Sequence, residues 1–407
     1  MNLLDSASLV VTANGYKASK LYSLIPADGS GDFSVSRAGD TATRVNSSGV
    51  IETVLANKPR LDYTDGSCPK VLIEPQRTNL IIRSSEFDNA YWDKSSSTLT
   101  SNTVVSPDGT SNADTLNTTN AANYSLIRGS VNLTIATVYT ASIFVKKSNY
   151  RYVGFRFIYT SGTLYNLYDF DTNTVTNTNN SVYPIKIQNY ANGWVRLSIT
   201  GSALATSSVF DIAYVNSNGL VTSNPLGTEQ YYIWGAQVEA GESASSYIPT
   251  TSATVTRNGD AISKGSISSL LGLTQGTILF KAQFVNTKEV ILLNISDNSD
   301  ANKINIQNIN STQIQFRFLG VGGYTDINYT LPNYLGLNTY VLSYSATSTR
   351  LFVNGVLVGT EAGRTFVALN LVTFGIWWQN STNIKFDKLA IWKTALTNSE
   401  CITLSQQ

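Results

Sequence analysis

YYIWGAQVEAGESASSYIPTTSATVTRNGD, residues Tyr231–Asp260, is the stretch that decides the fold. Its first third is aromatic and apolar, and Tyr232, Trp234, Ala236 and Val238 recur at a period of two, the spacing that puts side chains on one face of a strand. A run of Ser, Thr and Ala comes next, interrupted by Pro249, which stops regular structure. Gly241–Gly265 therefore reads as a linker, with one β-domain closing before it and another opening after it.

Upstream, the same period repeats. In VYTASIFVKKS the set is Tyr139, Ala141, Ile143 and Val145; in RYVGFRFIY it is Val153, Phe155, Phe157 and Tyr159; in WVRLSIT it is Val195, Leu197 and Ile199. Half-buried strands separated by Asn, Gly and Thr turns predict an antiparallel sandwich over residues 71–257. Downstream, TILFKAQFV alternates through Ile278, Phe280, Ala282 and Phe284, and QIQFRF through Ile314, Phe316 and Phe318. Asn354-Gly355 between two apolar runs predicts a tight hairpin. IKFDKLAIWK loses its alternation at Asp387-Lys388, which predicts a bulge. Thr397, three residues before Glu400, predicts a capping box opening a short terminal helix. Residues 258–407 are thus a second sandwich. The fold class expected is all-β, two antiparallel jelly-roll-type sandwiches.

Residues 1–70 read as an extended N-terminal arm. They contain one short helix candidate, Ser19–Ile25, and too few large apolar residues for a core of their own. Such an arm has to be ordered against a partner subunit or the body of its own chain.

Composition removes many functions. The 407 residues suit two or three domains. Lys+Arg 28 against Asp+Glu 27 leaves no basic footprint for nucleic acid or an anionic membrane. The two cysteines, Cys68 and Cys401, make no metal-ligand spacing and no disulfide ladder. The start, MNLLDSASLVV, lacks the basic flank of a signal peptide, and no apolar run reaches membrane-spanning length. The expectation is a chain made in a cytoplasm, with no membrane insertion and no nucleic-acid partner.

The sequence has no histidine. Ser–His–Asp and Cys–His hydrolases, HExxH metal sites and imidazole proton shuttles are excluded at once. There is no G-x-S-x-G elbow, P-loop or dinucleotide-binding turn. Glycoside hydrolysis needs only two carboxylates about 5 to 9.5 Å apart, and Glu229 with Glu239, or Glu86 with Asp88, are the pairs to inspect. Asp169-Phe-Asp-Thr-Asn173 imitates the start of a calcium loop, but Thr174 stands where that loop wants Gly and Asn180 where it wants Glu. It reads as a hairpin turn. Asp297-Asn-Ser-Asp300 is a weaker imitation. No catalytic residue, metal or cofactor is expected.

Aromatic faces are the usual platforms for sugars. Trp234 and Trp392 alternate with core-type neighbours. Trp377-Trp378 differ, because adjacent strand residues point to opposite faces, so one ring leaves its own core, either to stack on a sugar or to fill an interface with another subunit. Tyr324, in the loop GVGGYTD, is the third ligand candidate.

Three stretches also occur in a familiar order: PRLDYTDGSCPKVLIEPQRTNLI (Pro59–Ile81), SPDGTSNADTL (Ser106–Leu116) and Tyr231–Asp260. Over residues 20–260 the chain resembles bacteriophage virion proteins, head spike fibres or tail fibres, with modules like carbohydrate-binding sandwiches. Residues 277–404, through the Asn354-Gly355 hairpin and FDKLAIWKTALTNSE (Phe386–Glu400), resemble laminin-G or concanavalin-like jelly rolls. The resemblance implies a non-enzymatic structural protein on the virion surface: a head (capsid) fibre that projects sandwiches for adhesion or decoration. It implies a homo-oligomer, a trimer, held to capsid or tail proteins through the arm, with host or mucosal glycans as further partners. The alternative is a tail fibre that recognises host glycans. A polysaccharide depolymerase comes third, since long β-helical repeats are missing.

Overall fold

The computed structural model describes residues 3–13, 21–22, 33–120, 124–157, 165–177, 184–221, 224–285, 291–299, 301–374, 376–377, 380–381 and 383–407. They are almost entirely β, with one α-helix, Asn398–Ser405. None of their helices is long and apolar enough to cross a membrane. The chain divides into two compact units, one of Thr41–Thr53 and Arg77–Arg257, the other of Met1–Asp40, Val54–Gln76 and Asn258–Gln407.

The unit of 41–53 and 77–257 is a sandwich of two six-stranded antiparallel sheets. One runs in the order Ser97–Val104, Ala113–Thr118, Gln230–Ala240, Val138–Lys147, Trp194–Ser202, Ile185–Asn189; the other runs Thr174–Asn177, Asn166–Asp169, Tyr152–Phe157, Ser207–Ala213, Leu126–Asn132, Asp93–Ser95. The core between them holds Ala141, Ile143, Val145, Val153, Phe155, Phe157, Leu197 and Ile199, the inward sets that the period of two predicts. Tyr159 lies outside the described residues.

The strand Gln230–Ala240 departs from the expected phase. Tyr231 and Ile233 share the core with Ala236 and Val238, while Trp234 and Tyr232 belong to a cluster with Phe144, Trp194 and Tyr247. The cause is Gly235, in the left-handed region at φ +65, where the register with Val138–Lys147 slips between Ser142 and Phe144. A bulge moves every later side chain to the other face. A Cβ at Gly235 would also stand 2.9 Å from the Phe144 ring.

In the same unit the Asp114 carboxylate is 1% exposed and accepts from the backbone N–H groups of Asn102 (2.9 Å) and Phe87 (3.2 Å). Burial outweighs those bonds and pushes its pKa up from 3.8 to about 6. The folded chain therefore takes up a proton between about pH 4 and 6 that the unfolded chain does not. Stability falls as pH rises through that window, by roughly 3 kcal/mol at about 1.4 kcal/mol per unit. Urea unfolding at pH 4.5 and 7 should show this slope, and Asp114→Asn should remove it.

The other unit is also a sandwich. Its larger sheet has the order Leu21–Tyr22, Leu9–Thr12, Ile384–Trp392, Gln275–Phe284, Leu337–Ser345, Ser348–Val353, Val356–Ala362, with Lys70–Ile73 also on Ile384–Trp392 and Arg60–Asp62 beyond it. Its smaller sheet runs Gly323–Thr330, Gln313–Gly320, Lys303–Asn308, Ile291–Ser296, Leu371–Phe374, Ala261–Gly265, Ser34–Ser36. Ile278, Phe280, Ala282, Phe284, Ile314, Phe316 and Phe318 meet in the core. Asn354 (φ 48) and Gly355 (φ 88) form the tight hairpin turn, the register slips at Asp387, and Thr397 with Glu400 makes the capping box. The helix lays Cys401 and Leu404 on Leu279, Phe352 and Trp392, on the outside of the larger sheet.

The N-terminal residues do not form a separate arm up to residue 70. Leu9–Thr12 and Lys70–Ile73 both pair antiparallel with Ile384–Trp392, at its two ends, and Ser34–Ser36 pairs with Ala261–Gly265. Residues 42–45 cross to the other unit and pair with Ile51–Val54. Leu21–Tyr22, inside the expected helix Ser19–Ile25, is a strand parallel to Leu9–Thr12; the rest of that stretch lies outside the described residues. Strands of three or four residues carry too little alternation to be read, and the partners of Leu9–Thr12, Ser34–Ser36 and Lys70–Ile73 lie hundreds of residues away.

Candidate functional site

The outward face of the smaller sheet carries an unbroken polar row. Core residues Leu293, Ile295, Ile304, Ile306, Phe316 and Phe318 point one way, so the alternate residues point the other. Register aligns Ser34, Ser263, Thr373, Asn294, Asn305, Arg317 and Asp326 on seven consecutive strands. At about 4.8 Å per strand, the row is roughly 29 Å long.

Hydrogen bonding along this face is uneven. Arg317 donates through Nε and Nη2 to the two oxygens of Asp326 at 2.9 and 2.8 Å, which holds its guanidinium pKa above the ordinary value. The next row is an amide ladder, in which Gln307 Nε2 donates to Gln315 Oε1 (2.7 Å) and Gln315 Nε2 to Asn328 Oδ1 (3.1 Å). In the centre, Asn294 Nδ2 donates to Ser296 Oγ at 3.4 Å, but Asn294 Oδ1, Asn305 Oδ1 and Thr373 Oγ1 have no partner. Asn294 is 5% and Asn305 1% exposed. A buried acceptor left open costs about 1–3 kcal/mol, and here three lie on adjacent strands.

Tyr324 lies at the rim of this face, in the edge strand Gly323–Thr330, opposite Leu319. It is 64% exposed, with the Arg317 guanidinium 5.5 Å from its ring centre and Arg364 Nη2 donating to its carbonyl. Trp377 is in the short strand Ile376–Trp377, which pairs with Asn380–Ser381 and lies beside Ile291–Ser296. Trp378 lies outside the described residues. The residues that sequence reasoning missed are Asn294, Asn305 and Thr373. Their signal was present as single amides or hydroxyls flanked by apolar residues in ILLNIS, KINIQN and LVTF, but it becomes a row only once register is known.

The carboxylates proposed for hydrolysis are engaged elsewhere. Glu229 accepts from Thr118 Oγ1 (2.6 Å) and from the N–H groups of Leu226, Gly227 and Thr228. Glu239, fully buried, accepts from Gln237 Nε2, Ser245 N and Ser245 Oγ. Glu86 pairs with Arg83 at 2.7 Å. Asp169 closes the hairpin turn, accepting from Arg151 Nε and Nη2 and from Asp171 N, and the Arg151 bond pulls its pKa down to about 2. Asp297 accepts from Ser299 and Asn302, and Asp300 lies outside the described residues. Among the described residues no group of three or more His, Cys, Asp and Glu side chains is placed to hold a metal ion.

No family model matches the sequence, and no curated protein matches it. Solved structures give partial similarities. The carbohydrate-binding module (CBM40) of the Ruminococcus gnavus IT-sialidase, bound to alpha2,3 sialyllactose, is 15% identical over 33% of this chain and 84% of its own, with a TM-score of 0.30. Domain 4 of the extracellular arabinanase AbnA from Geobacillus stearothermophilus, in complex with arabinotriose, is 15% identical over 41% and 84%, with a TM-score of 0.32. The binding domain of botulinum neurotoxin serotype D/C is 15% identical over 37% and 41%, with a TM-score of 0.31.

Proposed function

We propose that this chain is a non-catalytic adhesion protein of a bacteriophage particle, whose second sandwich binds glycans on the outward face of its smaller sheet. The observation that carries the binding reading is the row Thr373–Asn294–Asn305, three buried polar groups without partners beside the Arg317–Asp326 ion pair, with the exposed Tyr324 on the edge strand beyond them. Amides and hydroxyls on a rigid sheet, with an aromatic ring at the rim, are the groups that grip sugar hydroxyls and sugar faces. The virion reading rests on the order of the three motifs in residues 59–260. In it the protein is a head fibre, homotrimeric and held by capsid proteins, and a tail fibre is the alternative.

The Glu229 and Glu239 carboxylates are each saturated by hydrogen bonds, which speaks for binding without cleavage. Immunogold labelling of intact particles with an antibody against residues 266–407 tests the virion reading. Gold around the capsid is the expected result, gold at the tail selects the alternative, and unlabelled particles overturn the reading. Incubation with host glycans should release no new reducing ends.

A further inference from the structure

We infer that the edge strand Gly323–Thr330 of the smaller sheet pairs antiparallel with the same strand of a second copy of this chain, across a two-fold axis at Ile327. The inference goes beyond the function proposed above and does not rest on it. Gly323–Thr330 closes the smaller sheet on one side, with Gln313–Gly320 as its hydrogen-bonded neighbour. The same sheet ends on its other side in Ser34–Ser36, only three residues long. Very short edge strands, lysine, proline and bulges are the devices that keep an open edge from pairing. Gly323–Thr330 has none of them. Its eight residues, GYTDINYT, run in unbroken register with Gln313–Gly320, and their one charge, Asp326, is neutralised by Arg317.

The hairpin fixes which backbone groups are open. Gly320 and Gly323 pair across the turn Val321-Gly322, so they exchange both hydrogen bonds, and the exchange recurs at every second residue, through Thr325, Ile327 and Tyr329. The N–H and C=O groups of Tyr324, Asp326, Asn328 and Thr330 therefore point out of the sheet. Of these groups, the Tyr324 carbonyl accepts from Arg364 Nη2, and among the described residues the others have no partner. Pairing two copies about Ile327 sets Tyr324 opposite Thr330 of the second copy and Asp326 opposite its Asn328, so each open group meets an open group.

The side chains are complementary in that register. Tyr324 faces Thr330, Thr325 faces Tyr329, Asp326 faces Asn328 and Ile327 faces Ile327. Aromatic rings meet β-branched residues and the carboxylate meets an amide, which are stabilising cross-strand pairs. The Tyr324 ring, 64% exposed in the single chain, gains a surface to cover. Other registers are worse. A slip of two residues one way sets Asp326 against Asp326, and like charges directly opposite are destabilising; a slip of two the other way sets Tyr324 against Pro332, which has no N–H. A slip of one residue puts open groups opposite groups already bonded inside the sheet. One strand edge is a small interface, below about 1,200 Å² in total, so the contact is of the weak, reversible kind. It is separate from the three-fold contact of the head-fibre reading and implies an even number of chains.

Sedimentation velocity and light scattering of the full chain, from low micromolar to submillimolar concentration, test this. The expected result is a concentration-dependent step to twice the 44.2 kDa of the chain, or to twice the mass of a larger assembly. Asn328 is exposed, so it can be changed without entering the core. Asn328→Asp places carboxylates opposite each other twice across the axis and should weaken the step about tenfold. Asn328→Lys places an ammonium opposite Asp326 and should preserve or tighten it. Asn328→Pro removes an N–H that the chain's own sheet does not use and should abolish it. Melting temperatures at low concentration should stay within a few degrees of the parent for the Asp and Lys variants; if Asn328→Pro does not fold, those two decide. A chain that stays monomeric throughout, an odd-numbered assembly with no further step, or a step equally strong in Asn328→Asp and Asn328→Lys overturns the inference.

Discussion

A chain that begins at residue 258 should not fold. The second sandwich takes Leu9, Val11, Phe33, Leu61, Val71 and Ile73 into its core from segments N-terminal to residue 77, the first three before the other unit's opening segment and the last three after it. Burying six such side chains contributes roughly 9–18 kcal/mol at about 1.5–3 kcal/mol each. That is comparable to the whole stability of an ordinary domain, about 5–15 kcal/mol. Truncation would also strip Leu9–Thr12 and Lys70–Ile73 from Ile384–Trp392, leaving an unpaired edge along a nine-residue strand. Residues 258–407 expressed alone should show little dispersion in amide NMR spectra and rapid proteolysis, while the full chain gives a cooperative transition. A stable, well-dispersed fragment would show that the N-terminal strands only decorate the sandwich.

The contrast between those strands and the rest shows what the sequence carries. Long strands with a strict period, such as Val138–Lys147 and Gln275–Phe284, declare both their existence and their inward face, because ten residues of alternation admit one phase. Gly235 defeats that logic in YYIWGAQVEAG: a positive-φ glycine permits the bulge, but only the neighbouring strand shows that the phase changes there. Leu9–Thr12 and Lys70–Ile73 were hidden because three apolar residues in a row specify no period, and a strand's partner is a long-range fact. The candidate face was half legible. Tyr324 stood out as an aromatic in a glycine-rich turn, whereas Asn294, Asn305 and Thr373 acquire meaning only through the pairing of four strands.

Asp260→Ala should destabilise the second sandwich by about 3–5 kcal/mol, the range for removing one partner of a buried ion pair. The carboxylate holds two arginines that each lie at 0–1% exposure. Arg37 Nη1 donates to its Oδ1 at 2.8 Å, Arg60 donates to Oδ1 through Nε at 3.3 Å and to Oδ2 through Nη2, and the Glu74 N–H adds a bond to Oδ2 at 2.9 Å. Burial by itself would lower the Arg60 pKa, but Asp260 and Glu74 more than compensate and raise it. Without Asp260, one carboxylate, Glu74, faces two buried cations. Asp260→Asn keeps the shape and removes the charge, so it should recover only a small part of the loss. Pairing Asp260→Ala with Arg37→Met should recover more, because the cation stranded by the first change is removed by the second. Chemical denaturation of the parent chain, Asp260→Ala, Arg37→Met and the double variant forms the cycle. Additive losses, with no coupling between Arg37 and Asp260, would mean that the pair stabilises the sandwich by packing alone. A positive coupling would identify this ion network, joining residues 37, 60 and 74 to residue 260, as the tie that holds the N-terminal segment to the sandwich it completes.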